Sequence, residues 1–150
     1  MAQNNSSSFV TYGVRLLGAV YLALGVIGFL PVDFINPLNH HPGGIGAHYL
    51  FNLLAINALH NIIHLAIGLT GLWAAATLER AQIWGKVAGV VLLLLFAAGM
   101  AQAFIEGFPY DQLLLELVPL NSPGHILHII SGGIALFLGL VRVQAPPEKS

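Results

Sequence analysis

Four apolar stretches, each long enough to cross a lipid bilayer, leave this chain very little with which to cover a water-exposed surface. They fall at about residues 10–30, 48–77, 83–105 and 125–143. A helix needs ~20 residues, at ~1.5 Å each, to cross ~30 Å of hydrocarbon. The second stretch exceeds that length, so it must tilt or begin outside the hydrocarbon. Only 7% of the 150 residues are charged, against roughly 25% in an ordinary soluble domain. A water-soluble enzyme is therefore excluded. With Lys+Arg 5 against Asp+Glu 6, the chain has no basic patch for nucleic acid. The absence of cysteine removes disulfides, iron–sulfur clusters and thiol catalysis. The expected fold is all-α: one integral membrane domain over residues 1–150, an up-down-up-down four-helix transmembrane bundle in the lipid bilayer. Residues 1–8 and 144–150 are expected as flexible tails. No internal repeat is read beyond the alternation of spans and connections.

Orientation follows from the basic residues. Arg15 lies near the start of the first span, Arg80 and Lys86 fall in and just after the second connection, and Arg142 and Lys149 follow the fourth span. The first and third connections carry none. All five thus fall on one side, which the positive-inside rule makes cytoplasmic, with both termini. Arg15 is expected to snorkel towards the headgroups and Trp84 to anchor at the same face. The N-terminal MAQNNSSS lacks the positive charge of a signal peptide, and no small-residue cleavage site follows Leu30. The first span is accordingly expected to be a retained helix.

Small residues recur at helical spacing, including Gly18 and Gly25, Gly68 and Gly71, Gly85 and Gly89, and Gly132 and Gly139. They are read as packing positions, since close backbone approach replaces the hydrophobic force between helices in lipid. The first connection, with Gly43, Gly44 and Gly46, should be irregular, and its spacing does not match a phosphate loop. The third connection contains YDQLLLELVPL. Its leucines with Asp111 and Glu116 predict a short amphipathic segment in the outer interface, ended by Pro119.

Seven histidines in so uncharged a chain carry the functional argument. His40, His41 and His48 lie in or beside the first connection. His60 and His64, at i and i+4, share one face of the second span, and His125 and His128, at i and i+3, share a face of the fourth. Counting ~1.5 Å per residue from Arg80 and Arg142, the two pairs stand about 24–30 Å and about 21–26 Å from their inner ends. They therefore occupy similar depth on parallel helices, in the outer half of the membrane. Intramembrane ionisable groups are costly and point to function, with a named partner.

Three readings fit. The first is a transition-metal site of His60, His64, His125 and His128, since imidazole suits zinc, copper or iron. Asn57, Asn61 and Asn121, or backbone carbonyls, would then hold the second ring nitrogens, and Glu106 and His48 are possible additions. The second is a single haem or other pigment with one axial histidine from each helix. The third is polar glue between helices, in an accessory or scaffold subunit of a larger membrane complex. A homo-oligomer is a further possibility. No Ser/His/Asp order, HExxH or glycine fingerprint supports hydrolysis or nucleotide binding, and the reading leans away from an enzyme.

The stretch FNLLAINALHNIIHLAIGLTGLWAA, with Asn57, His60, Asn61, His64, Gly68 and Gly71, resembles a widespread bacterial family of small four-helix membrane proteins catalogued as a domain of unknown function. VPLNSPGHILHIISGG, with Pro119, Asn121 and His128, is similar to its second motif, and GVIGFLP to its first-helix ending. The resemblance covers most of the chain and implies four spans in a bacterial inner membrane, with no established activity. The family usually has an Asp-Asn pair where this chain has Gly124 and His125. By that resemblance His60, His64 and His128 are the shared residues, and His125 is a local addition.

Overall fold

A computed structural model describes residues 2–31, 46–107 and 111–143, with the side chains of 2–5, 106, 111 and 112 outside that description. Among the described residues there are four helices and two hairpins: α1 (Ala2–Ile27), β1 (His48–Leu50), β2 (Leu54–Ile56), α2 (Ala58–Ala74), α3 (Leu78–Glu106), β3 (Asp111–Leu114), β4 (Val118–Asn121) and α4 (Ser122–Leu140). Within them Ser6–Ile27, Leu78–Ile105 and Ser122–Leu140 are long and apolar enough to cross a membrane. With 17 residues, α2 spans only about 25 Å and follows the β1–β2 hairpin. The bundle turns large apolar side chains outward along its length, among them Leu94, Phe104 and Phe137. That is the surface of an integral membrane protein.

Helix starts are set by caps. Asn57, Thr77 and Asn121 are all extended and accept from the backbone N–H three residues on, at His60 (2.9 Å), Arg80 (3.4 Å) and Gly124 (3.2 Å). These caps displace three expected boundaries. The second span is helical only from Ala58, the third begins already at Leu78, and the fourth runs from Ser122 to Leu140. At the N-terminus α1 includes residues expected in a flexible tail, because Ser and Asn at a helix start cost little once the apolar stripe behind them is packed.

The four helices form two tight pairs, α1 with α2 and α3 with α4, with sparser contact between the pairs. On α1 the buried stripe runs through Val10, Val14, Gly18, Tyr21 and Gly25, the 3.6-residue period of a one-sided helix. The start of α1, the ends of α2 and α4 and the start of α3 meet in a cluster of Val10, Val14, Ala74, Ala75, Ala81 and Leu138. The start of α1 and the end of α4 therefore lie at this end of the bundle, with Arg15, Arg80, Lys86 and Arg142. At the opposite end, Leu50 and Ile56 pack with Leu24, Ile27 and Leu54, and the two hairpins lie against each other through β2 and β4.

Residues 48–56 and 111–121 are antiparallel hairpins, paired His48 to Ile56 and Asp111 to Asn121. They replace a helical start of the second span and the amphipathic segment expected in the third connection. Pro119 does not end that segment but stands inside β4, opposite Leu113. Each turn is tight: Phe51 and Asn52, and Leu115 and Glu116, all have positive φ. Leu53 N–H and Leu117 N–H close them onto the carbonyls of Leu50 (3.0 Å) and Leu114 (3.1 Å). Positive φ at both central residues is the sign pattern of the hairpin turn whose twist matches its strands. Residues 32–45, with His40, His41, Gly43 and Gly44, and residues 144–150, with Lys149, lie outside the described residues.

The two halves are copies of one unit, which overturns the expectation of no internal repeat. Each is a long helix, a hairpin, an asparagine cap and a second helix parallel to its counterpart. Asn57 matches Asn121, His64 matches His128, Gly68 matches Gly132 and Leu72 matches Leu136. In the long helices Arg15 matches Lys86, Gly18 matches Gly89 and Gly28 matches Gly99. The equivalence holds in space: a Cβ on Gly28 would run into Asn61, and one on Gly99 into His125, the residue matching Asn61. The first connection is longer than the third, so the long helices repeat at an offset of 71 residues and the hairpins and second helices at 64.

Within the first pair, a Cβ on Gly68 would strike the Leu22 backbone, whereas one on Gly133 meets nothing within 4 Å. Gly68→Ala is expected to destabilise the protein by about 1–3 kcal/mol through overpacking. Gly133→Ala should not lower stability. Thermal unfolding of both variants in detergent checks this.

Candidate metal centre

The first two turns of α2 and α4 bring three histidines to one point beneath the hairpins. The asparagine caps start both helices just ahead of them, so His60 and His64 project from successive turns of α2 and His128 from α4. Ligand-capable atoms of His60, His64 and His128 lie within 4.8 Å of one another. Ring centres stand 4.4 Å apart for His60 and His64 and 5.9 Å for His60 and His128. The side chains are 4%, 2% and 2% exposed, shut off from the water that would otherwise satisfy them.

Among the described residues, few of these ring nitrogens have a hydrogen-bond partner. The His60 ring lies beside the backbone carbonyls of Ala55 and Pro119, matching positions on the two hairpins. Its Nδ1 is buried without a partner among the described residues. His128 Nδ1 and both ring nitrogens of His64 are likewise buried without a partner among the described residues. Leaving one buried polar group unsatisfied costs about 1–3 kcal/mol, and here several meet in one place. A metal ion would take them together. At ~2.0–2.1 Å from each nitrogen, an ion would draw the ligand atoms to about 3.3 Å apart, a small closure from the observed spacing. Three neutral imidazoles leave at least one coordination position open and cancel none of the ion's charge.

His125 is not a member of this group. It shares the outer level with His128, yet its ring faces α3 and meets Phe96 edge-on at 6.1 Å, above Gly99. The i, i+3 spacing leaves the two rings about 60° apart around α4, enough to turn His125 towards a different neighbour. His48 is also elsewhere, on β1, with Nδ1 3.3 Å from the Gly46 carbonyl oxygen. Glu106 ends α3, and its side chain lies outside the described residues.

The asparagines do different work from that expected of them. None is hydrogen-bonded to an imidazole. Asn57 Nδ2 donates to the Leu117 carbonyl at 2.8 Å, and Asn121 Nδ2 donates to the Leu53 carbonyl, also at 2.8 Å. Each cap thus holds the turn of the other half's hairpin. Asn121 Oδ1 also accepts from Ala55 N–H at 3.3 Å. Asn61 Nδ2 donates to the Gly28 carbonyl at 2.7 Å and closes the end of α1. Hairpin carbonyls, those of Ala55 and Pro119, lie beside the His60 ring instead, one of the sources the sequence left open.

Sequence reasoning missed Tyr21 and Ser131. Tyr21 is fully buried on α1, and its ring meets His64 edge-on at 5.2 Å. Ser131 Oγ donates to the Leu127 carbonyl at 2.6 Å, so it accepts from the Tyr21 hydroxyl at 2.7 Å. The available signal was a tyrosine placed on the buried stripe of a mid-membrane helix, where a hydroxyl needs a partner.

Residues 11–141 match the family described as a domain of unknown function, DUF4383. The chain belongs to this family, whose match takes in α1 from residue 11, the other three helices and both hairpins. Comparisons with curated proteins and with solved structures found no match to the chain.

Asn121→Ala removes the cap of α4 and two bonds to the opposite half, leaving the Leu53 carbonyl and Ala55 N–H without partners. A loss of about 2–4 kcal/mol is expected, with faster amide exchange at residues 50–56. Hydrogen exchange by mass spectrometry reads both.

Proposed function

We propose that this membrane protein holds one transition-metal ion, zinc, copper or iron, through His60, His64 and His128 in the outer half of the bilayer. The observation that carries the reading is the convergence of unpartnered ring nitrogens in a site closed to water. Imidazole donors suit these metals, and the carbonyls of Ala55 and Pro119 beside the His60 ring are outer acceptors of the kind that ligating histidines use. A bare ion fits better than haem: a porphyrin between His60 and His128 would have to displace His64, whose ring centre is 4.4 Å from that of His60. Among the described residues no carboxylate joins the group, so the open position favours an anionic or water ligand.

Purified protein loaded with zinc, copper or iron and then dialysed is expected to retain about one ion per chain by elemental analysis. His64→Ala and His128→Ala should each weaken retention by at least about 10–100-fold, and His125→Gln should retain the ion. Metal-free protein in which His64→Ala lowers only the melting temperature would make the cluster a structural lock. The chain would then read as a scaffold subunit of a larger membrane complex.

We place the protein in the bacterial inner membrane with its termini cytoplasmic, on the strength of the four described basic residues at the terminal end. A C-terminal green fluorescent protein fusion should fluoresce and a C-terminal alkaline phosphatase fusion should be inactive. The reverse pattern would invert the orientation.

A further inference from the structure

A groove of about 470 Å³ runs between α2 and α3 in the terminal half of the bundle, on a side where the two helix pairs touch only sparsely. Its walls are apolar, Ile67 and Val87 among them, and its volume lies in the range of ligand pockets. Two tryptophans frame it. Trp84 packs on Gly71 and donates from Nε1 to Thr70 Oγ1 at 3.1 Å, and Trp73 stands 63% exposed at the rim. The Arg80 guanidinium lies over the Trp73 ring, 4.6 Å from its centre. Among the described residues no carboxylate pairs with Arg80, so an unneutralised cation is held at one end of an apolar channel.

The internal repeat supplies a comparison within the same molecule. The matching groove lies between α4 and α1, where Phe9 replaces Arg80, Phe137 replaces Trp73, Ile134 replaces Thr70 and Gly13 replaces Trp84. Leu138 fills the space above Gly13. At these four positions one half thus has only apolar side chains and a glycine, and the other has a cation, two indoles and a hydroxyl beside an open channel.

We propose that the α2/α3 groove is a binding site for one anionic glycerophospholipid of the leaflet at the terminal end. The phosphate sits on Arg80, whose planar guanidinium suits a phosphate oxygen pair, and an acyl chain follows the groove towards Ala66 and Val91. Arg80 is in the first turn of α3, at the level of the other basic residues of that end, where headgroups lie. A charge there favours anionic over zwitterionic headgroups about fivefold. This site is remote from the histidines and stands or falls independently of the metal.

Both tryptophans of the chain line the groove, so their fluorescence reports on it directly. The protein is reconstituted in vesicles of unlabelled phosphatidylcholine carrying increasing fractions of brominated phosphatidylglycerol or brominated phosphatidylcholine. Half-maximal quenching is expected at about fivefold lower mole fraction for the phosphatidylglycerol. Arg80→Gln should abolish that preference, Arg80→Lys should keep part of it, and Arg142→Gln, at the same end but outside the groove, should keep all of it. Equal quenching by the two lipids in the native protein would overturn the proposal, as would a preference that survives Arg80→Gln. Quenching by neither lipid, with cross-links between Trp73 faces of two chains, would assign the groove to a second copy and also overturn it.

Discussion

A backbone polar group inside a bilayer must find its partner within the protein, and that constraint governs the half of this molecule away from its termini. Helices satisfy themselves except at their ends, and hairpins only along their paired edge. Here two helix starts and two hairpin turns are brought together at one level, and Asn57 and Asn121 serve both. Each caps its own helix with Oδ1 and holds the opposite half's hairpin with Nδ2. Neither half completes its own hydrogen bonding, so the pairs cannot part at this end without exposing carbonyls to lipid.

The histidine cluster depends on this lock. His60 and His64 begin one turn beyond Asn57, and His128 two turns beyond Asn121, so the caps determine the height and rotation at which the imidazoles meet. The ring of His60 lies between Ala55 and Pro119, matching residues of the two hairpins, close to the axis relating the halves. His64 and His128 are related by that axis. His60 is not, because its counterpart is Gly124. A fourth ring there would crowd the centre, and glycine leaves three histidines together. The asymmetry of the cluster thus comes from a difference between the two halves, as does the contrast between Arg80 and Phe9.

Packing at the other end follows a different rule. There the helices close by direct approach of small residues, Gly18 to Gly71 and Gly85 to Gly139, with van der Waals contact in place of hydrophobic force. Gln82 adds one polar tie, donating to the Val141 carbonyl at 2.6 Å. Tight pairs with loose contact between them leave a groove along α2 and α3, whereas the asparagine lock draws the pairs together at the hairpins.

Charge scarcity and the length of the apolar runs were enough, from residues alone, to establish a membrane bundle of four helices, because the cost of burying backbone and charge in lipid allows few alternatives. Spacing also showed which histidines share a helix face. It did not show the hairpins at residues 48–56 and 111–121, since apolar strands and helix starts look alike without a partner to pair with. Nor did it show the repeat, which a longer first connection moves out of a single register. Which histidines converge was likewise beyond it: periodicity orients a side chain around its own axis, while the rotation of one helix against another is set by packing. That rotation turned His125 to Phe96 and brought His128 to His60 and His64.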